Sequence, residues 1–62
     1  MNYSKKIIEY RKKELITQAE LAKKLKVGVA SVSRWEQGHF EPTIKTKRKI
    51  RLLLRKAGIE EE

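Results

Sequence analysis

The chain contains no cysteine. Disulfides and cysteine-ligated zinc are therefore excluded, and packing alone must hold whatever core forms. The absence also suits a reducing compartment. There is a single histidine, His39, too few ligands for a metal site built on imidazole. No apolar run approaches the roughly 18 residues of a membrane span, and no signal-peptide pattern opens the chain, so it reads as soluble and cytoplasmic. Enzymatic chemistry has little to work with: no glycine-rich phosphate loop, no cysteine nucleophile, no acids placed as a catalytic pair. Exposed aromatic stacking residues, which RNA recognition favours, are lacking too. Sixty-two residues make one domain at most, and a chain of this size buries only about 60% of its unfolded surface.

Positive charge is what the chain has in abundance. Sixteen Lys and Arg face eight acids, and three of those acids are the terminal Glu60-Glu61-Glu62. Residues 1–59 thus form a domain with five acids and a surplus of eleven positive charges, followed by an acidic tail, 60–62. Such a surplus points to a polyanionic partner, most simply nucleic acid, against the plainer reading of a soluble, highly charged surface.

Hydrophobic periodicity divides the chain into four helical segments. In the first, Asn2 to about Glu14, positions 4, 7, 8, 11 and 15 form one stripe, with Asn2 or Ser4 as cap. Thr17-Gln18-Ala19-Glu20 is a capping box opening a second helix, with Leu21, Ala22 and Leu25 on one face. After the short link Lys26-Val27-Gly28, a third helix runs from Val29 to Glu36. Val32 and Trp35 point inward there, with Val27 beneath them. The opposite side projects Val29, Ala30, Ser33, Arg34 and Gln37. Gly38 ends this helix, and Pro42 bars its continuation. Thr43 caps the fourth helix, about Ile44 to Lys56, which Gly58 stops. Ile50, Leu53, Leu54 and Ala57 follow helical spacing, with Thr46 alongside, while Leu52 points about 200° from Ile50 at 100° per residue. Seven of the twelve residues from Lys45 to Lys56 are basic. Ile59 and the glutamates read as a frayed end. The expected core is Ile7, Leu21, Ala22, Leu25, Val32, Trp35, Ile50, Leu53 and Leu54.

The link between the second and third segments forces their helices to cross steeply, yet its residues suit it poorly. Lys26 stands where a left-handed glycine is usual, at about 1 kcal/mol of strain. Gly28 caps the third helix without a side-chain acceptor.

These residues carry a resemblance. ITQAELAKKLKVGVASVSRWEQG, followed by Pro42, resembles the helix-turn-helix of the phage repressor and Cro (XRE-type) family over about Arg11 to Ile50. The resemblance implies an all-α, lambda-repressor-like domain of four or five helices, a dimer on operator DNA, and control of transcription. It also implies an ion pair between Arg11 and Glu36 joining the first and third helices. The chain departs from the family at Leu15 and Lys26, where glycines are common, and at Gly28, where Ser or Thr is common. Val29 and Ala30 stand where many members place Gln, Ser or Thr. The helix that often follows as a fifth is missing.

Function follows as sequence-specific binding of double-stranded DNA, with helix 29–36 in the major groove. Arg34 is the leading candidate for base readout, since Arg bidentate to guanine is the commonest specific contact; a phosphate contact is its competing role. Val29 and Ala30 offer thymine-methyl contact or close approach, and Ser33 serves base or phosphate. Phosphate contacts are expected from Thr17, Gln18, Ser31, Gln37, His39, Thr43 and Lys45, Gln18 because it sits at a helix N-terminus. Lys45, Lys47, Arg48 and Lys49 either flank the DNA backbone or form a solvated face; an amphipathic membrane-surface helix is the weaker alternative. Trp35 reads as core rather than as a stacking platform, Phe40 as a core lid or a dimer contact, and Leu52 as a dimer or partner contact. No cofactor, metal or small-molecule ligand is called for, and a homodimer is expected at least on DNA. The alternative function is an antitoxin-like protein-interaction module that binds DNA secondarily, favoured by an apolar patch of Leu52, Phe40 and Ile59.

Overall fold

A computed structural model describes residues 2–59. The acidic tail, 60–62, lies outside the described residues. Among those described, four helices and no strand are present: α1 (Tyr3–Glu14), α2 (Gln18–Leu25), α3 (Val29–Glu36) and α4 (Ile44–Lys56). The fold is all-α.

The helix starts follow the capping chemistry of the sequence. Asn2 Oδ1 accepts from the Lys5 amide at 3.2 Å. Thr17 Oγ1 accepts from the Glu20 amide at 3.1 Å while Glu20 Oε1 accepts from the Thr17 amide at 2.8 Å, closing the capping box of α2. Thr43 caps α4 through the Thr46 amide. Only α3 starts without a side-chain cap, at Gly28.

All four helices end in the same way, with one left-handed residue and a backbone bond that reaches back across it. The left-handed residues are Leu15 (φ 56°), Lys26 (φ 58°), Gly38 (φ 80°) and Gly58 (φ 76°). The amide of the following residue returns to a helix carbonyl: Ile16 to Arg11, Val27 to Ala22, His39 to Arg34 and Ile59 to Leu54. This is the Schellman arrangement, and glycine suits its left-handed position best because it has no Cβ. Two of the four positions are not glycine.

Three expectations are corrected by the structure. Leu15 does not complete the stripe of α1: it is 89% exposed, because the left-handed turn removes it from the helical path. Ile59 is not frayed. Gly58 folds the chain back, and Ile59 is buried in the core. On α1 the deepest residues are Ile7 and Tyr10, one turn apart, so Tyr10 joins a core from which the stripe omitted it.

The core comprises Ile7, Tyr10, Leu21, Ala22, Leu25, Val32, Trp35, Ile50, Leu54 and Ile59, with Thr46 also buried. Leu53, expected inside, is only partly buried and packs against its edge. Helix α3 packs on α2 and α1, and α4 packs on α1 and α2. Lys49 of α4 donates to the Leu25 carbonyl at 3.4 Å, satisfying the end of α2. A void of about 10 Å³ among Ile7, Tyr10, Leu21, Ile50, Leu53 and Leu54 shows how closely this small core fills its space.

Candidate nucleic-acid interface

Helix α3 has two opposed sides. Val32 and Trp35 are buried, and Ala22, the small residue of α2, is buried beside them in the same core. On the other side Val29, Ala30, Arg34 and Gln37 are exposed and Ser33 is half-buried. At 100° per residue these five fall within an arc of about 140°, opposite the packed pair. The residues expected to face DNA from α3 therefore lie on one surface. Gln37 Nε2 donates to Ser33 Oγ at 3.1 Å, one turn apart. This bond leaves the Ser33 hydroxyl proton available to donate elsewhere.

Helix α3 is held at its C-terminal end by a polar cluster. Glu36 accepts from Arg11 of α1 through both carboxylate oxygens, Nε to Oε2 and Nη2 to Oε1 at 2.8 Å. Arg11 Nη1 donates also to the Ile16 carbonyl at 3.2 Å, and Ser4 Oγ donates to the Glu36 carbonyl at 2.7 Å. One arginine thus ties α1, the α1–α2 connection and α3 together. Burial opposes ionisation of Glu36, but the bonds from Arg11 and Gln18 and the Arg11 charge outweigh it, holding the carboxyl below its ordinary value. The same pairing raises Arg11 further above its own. The one acidic side chain on α3 is thereby neutralised, so it does not repel an approaching polyanion.

Gln18 departs from the simplest expectation. Its side-chain amide donates to Glu36 Oε1 at 3.0 Å rather than standing free at the start of α2. The bond places the beginning of α2 beside the end of α3, and the second Nε2 proton remains for a phosphate. Of the other expected phosphate contacts, Thr17 is exposed but engaged in the capping box, and Ser31 is half-buried in the first turn of α3. His39 is exposed just beyond that helix. Thr43 and Lys45 are exposed at the start of α4, and the Thr43 hydroxyl bonds within its own helix, to Thr46 Oγ1 at 3.2 Å.

Two lysines of α4 are committed to the scaffold. Lys47 pairs with Glu41 at 3.0 Å and lies 5.2 Å from the centre of the Tyr3 ring, while Lys49 holds the end of α2. Lys45 and Arg48 are exposed. Phe40 is no core lid: at 62% it is an exposed aromatic, contrary to the expectation that the surface lacks one, and the Arg34 guanidinium lies over its ring at 5.9 Å. Leu52 is exposed, as its position opposite Ile50 requires, whereas the burial of Ile59 removes one member of the apolar patch that would favour a protein-interaction module. Among the described residues no cluster of His, Cys, Asp and Glu could hold a metal ion, and no helix is long and apolar enough to cross a membrane.

Two short helices joined by a tight left-handed turn, the second exposing one face over a neutralised acid in a basic chain, define the class: a helix-turn-helix DNA-binding domain. A family model described as helix-turn-helix matches residues 7–58, and the chain belongs to that family, of Cro/C1 (XRE) type. Over 37 residues it is 57% identical to the HTH-type transcriptional regulator DicA of Escherichia coli (strain K12), an alignment covering 58% of this chain and 27% of that protein. The match thus spans only about a quarter of that relative's length. No solved structure matches it.

Proposed function

We propose that this protein is a transcriptional regulator, most simply a repressor, that binds a roughly palindromic DNA operator as a dimer with α3 in the major groove. The observation that carries this reading is the exposed arc of α3, Val29, Ala30, Ser33, Arg34 and Gln37, set opposite the packed Val32 and Trp35. The family to which the chain belongs and its likeness to a transcriptional regulator support the same role. Two copies would read half-sites about 34–36 Å apart, one helical turn of DNA. Arg34 is the base-reading side chain with the most hydrogen bonds to offer, and Ser33 is the second. Val29 and Ala30 meet thymine methyls or allow close approach. Phosphates are held from Thr17, the second amide proton of Gln18, Ser31, Gln37, His39, Thr43 and Lys45. Affinity should fall steeply with salt, because releasing the DNA's condensed counterions into a saltier solution gains less free energy.

Selecting duplexes from a random pool tests the reading. Enrichment of a palindrome with two half-sites is the expected outcome. Recovery of duplexes with no sequence preference would reduce the protein to a nonspecific basic binder.

A further inference from the structure

A large aromatic side chain left 62% exposed, beside the helix proposed to read DNA, needs a physical reason. Phe40 lies two residues beyond the left-handed Gly38. There the His39 amide bonds back to the Arg34 carbonyl at 3.2 Å, so the chain leaving α3 turns across its last turn. That turn brings the Phe40 ring under the Arg34 guanidinium, 5.9 Å from Cζ to the ring centre. Phe40 also borders an open depression with Tyr3, Ser4 and Trp35, from α1 and the buried side of α3. The turn after α3 therefore sets where the Phe40 side chain leaves the backbone, while Arg34 is exposed on a long, flexible stem.

From this placement we propose that Phe40 is a positioning residue for Arg34, a cation–π rest that holds the guanidinium over the reading face before DNA arrives. The idea rests on the reading of α3 as the DNA-recognition helix. An arginine loses rotamer freedom on binding, and a rest that restricts it beforehand lowers that loss. An aromatic face attracts the cation without consuming its N–H donors. Among the described residues the Arg34 guanidinium makes no hydrogen bond or ion pair, so its donors remain available for a bidentate pair with a guanine edge. The Phe40–Arg34 contact would thus set how strongly one base pair per half-site is preferred without touching that base pair.

The test compares wild type with Phe40→Ala, Phe40→Leu and Phe40→Trp, each alone and with Arg34→Ala. The probe is the duplex enriched from the random pool, alongside duplexes changed at single base pairs. Phe40→Ala should weaken binding about two- to fivefold, the loss falling on the base pair that Arg34 reads. Phe40→Trp should restore binding, and Phe40→Leu, apolar but without a ring face, should not. In the Arg34→Ala background Phe40→Ala should change nothing. Independently of DNA, the Arg34 δ-proton resonances of the free protein should move toward their unstructured positions in Phe40→Ala as the ring-current shift disappears.

Several results would overturn the proposal: rescue by leucine, an equal loss in the Arg34→Ala background, or unmoved Arg34 resonances. A wild-type protein that enriches no sequence would overturn the DNA reading itself, and with it the proposal. A wild type that enriches a site while the variants break the stated pattern would sink the Phe40 role alone.

Discussion

Arg11 in α1 and Glu36 at the end of α3 meet through two parallel hydrogen bonds, with the Glu36 side chain only 8% exposed and that of Arg11 22% exposed. The bidentate geometry constrains the angle at which α3 leaves the core, because the Nε and Nη2 donors along one guanidinium edge must match both carboxylate oxygens.

Removing one partner strands the other. Glu36→Ala should cost about 1.5–3 kcal/mol, the range for hydrogen bonds to charged groups. In a domain of this size each kcal/mol shifts Tm by about 4–8 °C. Thermal unfolding should show that drop, while duplex selection with the variant should enrich the wild-type sequence at a temperature where it is folded. An altered preference with unchanged Tm would place Glu36 at the DNA rather than in the scaffold.

The same carboxylate makes stability pH-dependent in a defined direction. Its pKa in the folded protein lies below the ordinary value of 4.5, and that of Glu20, bonded to the backbone and side chain of Thr17, lies below it as well. Groups depressed on folding contribute stability that is fully present above their unfolded pKa and lost as pH falls through the folded one. Denaturant midpoints should therefore hold near neutrality and decline once pH drops below about 4.5. Glu36→Gln should begin less stable and decline less steeply, with Glu20 still contributing to the slope. A variant with the wild-type acid limb would remove Glu36 from this account.

Leu15 and Lys26 carry left-handed strain that glycine would relieve. A residue with a Cβ costs about 1–2 kcal/mol there, and glycine's greater unfolded freedom returns about 0.5–1 of it. Leu15→Gly and Lys26→Gly should each stabilise by about 0.5–1 kcal/mol in denaturant titrations, and they should add, since they lie in separate turns. Gly38→Ala should do the reverse; nothing lies within 4 Å of the added Cβ, so its cost would come from the backbone alone.

Ile59 should behave as a core residue. Buried against the end of α4, it should cost about 2–5 kcal/mol when changed to Ala, whereas Leu52→Ala, on the exposed side, should change little. A near-neutral Ile59→Ala in chemical denaturation would mean that the last turn contributes nothing to folding.

How far these features could be read from the sequence depended on whether their cause was local. The starts of α2 and α4 were legible because Thr17 with Glu20, and Thr43, cap through side chains a few residues away. The packed and open sides of α3 followed from helical spacing. Leu15 and Ile59 went the opposite way for one reason: periodicity assumes that the helix continues, and each lies at or just past a left-handed residue that redirects the chain. Ile59 had a signal after all, in Gly58 just before it and Leu54 five residues back, the spacing of a Schellman contact. The engagement of Gln18 with Glu36, of Lys49 with the Leu25 carbonyl and of Arg34 with Phe40 depends on where helices and turns meet in space. No pattern within one segment encodes those meetings.

Whether α3 reads DNA through Arg34 is tested most directly by the affinities of wild type and Arg34→Ala for the selected duplex and for a set of duplexes each altered at one base pair. A loss of about 1–3 kcal/mol on the selected duplex is expected, with preference relaxed at a single base pair in each half-site and intact elsewhere. A loss of the same size on every duplex, with all preferences unchanged, would make Arg34 a phosphate contact and contradict its role in base readout.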